Sequence, residues 1–130
     1  MSEQWRGRIQ TASAMALICK ARLLIALVPL SRWRRTLGWD GPAKLSESQR
    51  LAKLIEWAAR RLPIESKCLP RAMALSWMLR RSGLGHFVVF AVRHPESRDA
   101  GDELHAWVEV GGEIVLGNLP GPWVETLRLG

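Results

Sequence analysis

At 130 residues, with 48% hydrophobic and 24% charged side chains, the chain is long enough and apolar enough to bury one sizeable core. That balance excludes general disorder, and two cysteines exclude a disulfide framework and a cysteine-rich metal site. The formal charge of +7 is uneven, with twelve Lys/Arg against four Asp/Glu in residues 1–61 and seven against eight in residues 62–130.

Helical periodicity governs the first two thirds. A first helix is expected from about Ile9 to Val28, ended by Pro29. Its apolar stretch A-M-A-L-I-C-K-A-R-L-L-I-A-L-V-P-L is broken by Lys20 and Arg22. Neither uncharged run reaches the roughly 18 residues that a membrane span needs. Arg32, Arg34 and Arg35 follow the apolar run, the reverse of a signal peptide. The segment reads as an amphipathic helix docked on protein, with peripheral membrane contact through its basic end as the alternative. Cys19 inside it reads as a small buried hydrophobe. Free cysteines suit a reducing cytoplasm.

Trp39 to Pro42, W-D-G-P, is a turn. Ser46 with Gln49 resembles a capping box and opens a second helix to about Arg61, which Pro63 ends. A third helix begins near Cys68, with Pro70 tolerated in its first turn, and stops at Gly83 in a left-handed cap. The period then changes to that of strands. H-F-V-V-F-A-V reads as a buried strand, and R-H-P-E-S-R-D-A-G-D as a polar loop. L-H-A-W-V-E-V and E-I-V-L-G-N form a hairpin about Gly111-Gly112. Trp123 to Leu127 adds a short final strand. Helices followed by an antiparallel sheet make the fold class α+β. The chain reads as one domain, with a basic helical part over 1–62 and a catalytic helix plus sheet over 63–130.

The hairpin register is calculable. A two-residue loop pairs Val110 with Glu113, so paired numbers sum to 223 and His105 stands opposite Asn118. Residues directly opposite have Cβ atoms about 4.5–5.5 Å apart, close enough for an asparagine oxygen to fix an imidazole tautomer. Trp107 shares the His105 face and would shield the pair from water. Cys68, Ala72, Leu75 and Leu79 recur at helical spacing on one apolar face, which should pack on the sheet. That face puts Cys68 at a helix N-terminus turned toward the strands, where the dipole and a nearby imidazolium lower a thiol pKa. A Cys68–His105–Asn118 set would suit acyl transfer, with backbone N–H groups at the helix start binding the oxyanion. His86 and His94 read as surface residues. With no further Cys/His cluster, neither metal nor cofactor is expected.

Cys68 to Leu84 (C-L-P-R-A-M-A-L-S-W-M-L-R-R-S-G-L), followed by H-A-W-V-E-V-G-G from His105, resembles the transglutaminase-like cysteine peptidases of lasso peptide biosynthesis. The likeness extends upstream through A-R-L-L-I-A-L-V-P-L-S-R-W-R-R-T-L-G and A-A-R-R-L-P. It implies a papain-like core that cuts a ribosomally made precursor between leader and core peptide, with Cys68 as nucleophile and His105 as base. The short form of that family, without a fused leader-recognition domain, resembles this chain. It implies the lasso precursor's leader, a separate leader-binding protein and an ATP-dependent macrolactam synthetase as partners. Members commonly carry an aspartate after the hairpin. Here the return strand reads V-L-G-N, so Asn118 takes that place, with Asp102 in the 93–102 loop as the other candidate. That loop is a candidate lid over His105.

Two other readings stay open. One is a catalytically inactive adaptor that holds precursor or synthetase on its basic half. The other is a transglutaminase-type transferase passing the acyl group to an amine. The charge imbalance suits an acidic partner, an anionic membrane surface or a solvated helical face. Nucleic acid is not expected, because no basic–aromatic sheet, zinc or helix-turn-helix signature is present.

Overall fold

The computed structural model describes residues 3–63, 67–93, 104–117 and 123–130. Helix α1 (Glu3–Leu27) packs on α3 (Leu45–Arg61) and α4 (Cys68–Arg81). Between them lie a short α2 (Leu30–Trp33) and a 3-10 turn over Arg34–Thr36, neither of which the periodicity announces. Pro29 sits before α2 in extended conformation, and the Trp33 indole N–H donates to the Val28 carbonyl at 3.0 Å, closing the corner. Trp33 is thereby buried, the anchor of an otherwise exposed segment.

Helix α3 begins one residue before the expected cap. Lys44 is its N-cap, no side chain caps it, and Ser46 lies inside the first turn. Helix termination at Pro63 and the apolar face Leu51, Ile55, Ala58 and Ala59 are as the sequence predicts. Helix α4 starts at Cys68 with Pro70 in its first turn and ends as expected at Gly83, whose φ of +70° is left-handed. There the Gly83 N–H reaches Arg80 O and the Leu84 N–H reaches Leu79 O, satisfying the last carbonyls. Ala72, Leu75 and Leu79 are fully buried, while Cys68 at the head of the same stripe is half-buried. Each large side chain so buried contributes about 1.5–3 kcal/mol through the hydrophobic effect.

By length and composition, Ile9–Leu27 is able to cross a membrane in spite of Lys20 and Arg22. In the fold it is docked: Ala14, Ile18 and Ala21 are fully buried among α3 and α4. The expected amphipathicity fails on its outward side, where Leu23, Ile25 and Leu27 meet solvent.

Strands β1 (Phe87–Arg93), β2 (Leu104–Val110), β3 (Glu113–Leu116) and β4 (Trp123–Leu129) form an antiparallel sheet in the order β3-β2-β1-β4. The final strand is longer than expected and pairs with β1, not with its neighbour in sequence. One sheet face, with Val88, Phe90, Ala106, Val108, Val110 and Leu116, joins the core beneath the helices. The other face carries Val89, Ala91 and Trp107, packed with Trp123.

Gly111 and Gly112, with φ of +57° and +84°, make the tight two-residue turn that the sequence predicts, and Val110 pairs with Glu113. The register then slips. Glu109 pairs with Ile114, but Val108 pairs with Leu116, so Val115 is an extra residue in a bulge. The count that set Asn118 opposite His105 therefore stops holding before it reaches either residue.

His86 corrects a second expectation, since it is buried, not on the surface. Its Nδ1–H donates to Leu84 O at 2.9 Å, its Nε2 accepts from the Ser76 hydroxyl at 2.6 Å, and Ser76 Oγ accepts the Gly38 N–H at 2.9 Å. Paired backbone hydrogen bonds between Trp39 and His86 pin the W-D-G-P turn to the start of β1. His86 is thus a structural clamp between α4, that turn and the sheet.

Candidate active site

Helix α4 delivers Cys68 to the sheet because its Ala72–Leu75–Leu79 stripe lies on β1 and β2. His105 stands on the opposite sheet face, alternating with Ala106, which points to the helices. The two meet beside β2, where the Cys68 sulfur takes the backbone N–H of Ala106 and hydrogen-bonds the His105 side chain.

Burial pushes the Cys68 thiol up. The hydrogen bond with His105, the Ala106 N–H, the imidazole's charge and the Leu69 N–H at the start of α4 outweigh that effect. The net result is a thiol held below its ordinary value. Every lowering contribution favours the thiolate, the form that is nucleophilic.

His105 is only 2% exposed. Its Nε2 lies 2.5 Å from the carbonyl oxygen of Gly117. A carbonyl only accepts, so Nε2 carries hydrogen and Nδ1 is left to face Cys68. The Trp123 ring stacks on the imidazole at 4.9 Å and 30°, and Trp107 flanks it at 5.8 Å. Trp107 is itself fixed by its indole N–H, which donates to Glu109 Oε1 at 2.9 Å, and Arg128 pairs with the other Glu109 oxygen at 2.9 Å. That ion pair keeps the Glu109 carboxylate occupied away from the imidazole.

Of the residues expected at the site, Cys68 and His105 are brought together. Asn118, Asp102 and His94 lie outside the described residues, as does most of the 93–102 loop. Three contributors escape the sequence reading. The Gly117 carbonyl and the Ala106 N–H are backbone groups, which no side-chain pattern marks. Trp123 reaches His105 only because β4 crosses to pair with β1. The one available signal is Gly117 itself, a glycine closing a strand: its φ is +83°, and a Cβ there would lie 2.8 Å from Ala106 O.

A thiolate-prone cysteine at a helix start, a histidine with an oriented tautomer and converging N–H donors can perform acyl chemistry. A family model of the transglutaminase-like superfamily matches residues 11–126. The chain belongs to that superfamily. Transglutaminase-like proteins are generally cysteine enzymes of the protease or acyltransferase type. The helices followed by an antiparallel sheet are consistent with the transglutaminase-like core. No curated protein and no solved structure matches the chain significantly.

Proposed function

We propose that the protein is a cytoplasmic cysteine endopeptidase that removes the leader from a lasso peptide precursor. The observation that carries this reading is the hydrogen bond of Cys68 with His105 at the start of α4. The C-L-P-R-A-M-A-L and H-A-W-V-E-V segments, which resemble the lasso leader peptidases, supply the substrate class.

In this mechanism the Cys68 thiolate attacks the scissile carbonyl while the imidazolium of His105 keeps its Nε2–H on Gly117 O. N–H groups at the start of α4 stabilise the oxyanion. His105 passes a proton from Nδ1 to the leaving amine as the C–N bond breaks, leaving a thioester on Cys68. A water deprotonated by the same Nδ1 then attacks the thioester and releases the carboxylate. The Gly117 carbonyl fills the orienting position. Asn118, the residue that stands in sequence where family members carry aspartate, lies outside the described residues, and its part in this mechanism is tested by Asn118→Ala. A separate leader-binding protein presents the precursor, and a macrolactam synthetase receives the product.

The test is mass spectrometry of a lasso precursor incubated with the protein and its leader-binding partner. Cleavage with addition of one water, abolished in Cys68→Ala, is expected. Retained cleavage by Cys68→Ala rejects the proposal, and a product carrying an added amine moves the protein to the transferase class.

A further inference from the structure

The C-terminal end of α1 carries the two most exposed large apolar side chains among the described residues. Leu23 is 61% exposed and Leu27 77%, with Ile25 and, across Pro29, Leu30 also in solvent. These exposures put a cluster of large apolar side chains in solvent at this end of the helix. Beside the cluster opens a cleft of about 380 Å³, in which Lys20, Arg35, Arg80 and Arg81 surround Leu24 and Trp77. None of the residues lining it is acidic. Its cations are steadied by rings and carbonyls: the Lys20 ammonium lies 4.9 Å from the Trp77 ring centroid, and Arg80 donates to Arg35 O at 2.8 Å. The Thr36 hydroxyl accepts the Trp77 indole N–H at 2.9 Å and fixes that ring. The bias extends along the chain, since residues 4–39 contain seven Lys/Arg and no Asp/Glu.

We propose that this end of the molecule docks on an anionic membrane surface, its leucines entering the interface and the cleft cations binding lipid headgroups. Exposed apolar side chains beside a cleft lined by four cations and no acid suit an anionic bilayer, where burial of apolar side chains and attraction to headgroups add. The orientation follows from α4. Arg80 and Arg81 close its C-terminal end and Cys68 opens the other, about 20 Å away for 14 residues. Docked, the protein holds its reactive cysteine off the membrane, facing solution. This inference is independent of the peptidase reading.

The test is sedimentation of the full chain with vesicles of phosphatidylcholine alone or mixed with phosphatidylglycerol. Binding only to the anionic vesicles, weakening as salt rises, is expected. Leu23→Glu with Leu27→Glu should lower partitioning more than tenfold, and Arg35→Gln or Arg81→Gln about fivefold each. These positions are exposed, so circular dichroism and the alkylation rate of Cys68 should match the parent. Failure to bind anionic vesicles overturns the proposal, as does binding that the leucine changes leave intact. Capture of an acidic protein by the same surface, without vesicle binding, overturns it too.

Discussion

His105 donates from Nε2 to the backbone carbonyl of Gly117, 2.5 Å away, in a chain segment whose φ of +83° only glycine adopts easily. A main-chain oxygen thus does the orienting that papain-like sites give to a side chain. A carbonyl carries a dipole but no net charge, so it favours an imidazolium less than a carboxylate would. Glycine is what lets this carbonyl reach the ring, because a Cβ here would run into Ala106 O and Trp107.

Gly117→Ala should therefore harm catalysis more than folding. The new Cβ would stand 2.8 Å from Ala106 O and 3.2 Å from Trp107 Cβ, pushing the carbonyl off its line to His105. The left-handed backbone adds about 1–2 kcal/mol of strain. A displacement of about 1 Å at a catalytic group costs on the order of 100-fold in rate. Steady-state kinetics of precursor cleavage, read beside urea unfolding, checks both figures. Asn118→Ala should lower kcat/KM by less than about tenfold, since Nε2 already has its acceptor.

Leu75→Ala should cost about 2–5 kcal/mol, the range for a large-to-small change in a closed core. Leu75 is fully buried on the α4 face that seats Cys68 against the sheet. Chemical denaturation measures the loss. Alkylation of Cys68 should slow in the same variant, because a loosened α4 no longer holds the sulfur to Ala106 and His105.

The pH dependence of stability should carry the signature of His86. Burial lowers its pKa, the Leu84 carbonyl opposes that, and the charge of Arg80 lowers it further, for a net fall. The unfolded chain takes up a proton near pH 6.5 that the folded chain refuses. Stability contributed by the neutral ring is complete above about pH 6.5 and is lost as pH falls toward the folded value. Urea midpoints between about pH 7 and 5 should drop for the parent. His86→Gln should be less stable at pH 7 yet flatter across that interval.

The sequence made the helices legible wherever a periodic apolar face coincided with a stop signal: Gly83 and Pro63 ended α4 and α3 as expected. Ser46 misled because its box pattern lay inside a helix that packing had already started at Leu45. The meeting of Cys68 with His105 was legible because each sits at the end of a strongly patterned element. The hairpin count was right at its turn and failed at Val115, since no residue type there announces a bulge. Burial of His86 was missed because its partners, Ser76 and Leu84, converge only when α4 folds back on β1.

Alkylation of Cys68 by iodoacetamide as a function of pH, in a Cys19→Ser background, tests the thiolate–imidazole pairing most directly. A rate midpoint below the ordinary thiol value of about 8.5, moving upward in His105→Ala, is the predicted result. A profile matching a free model thiol, unchanged when His105 is removed, would contradict it.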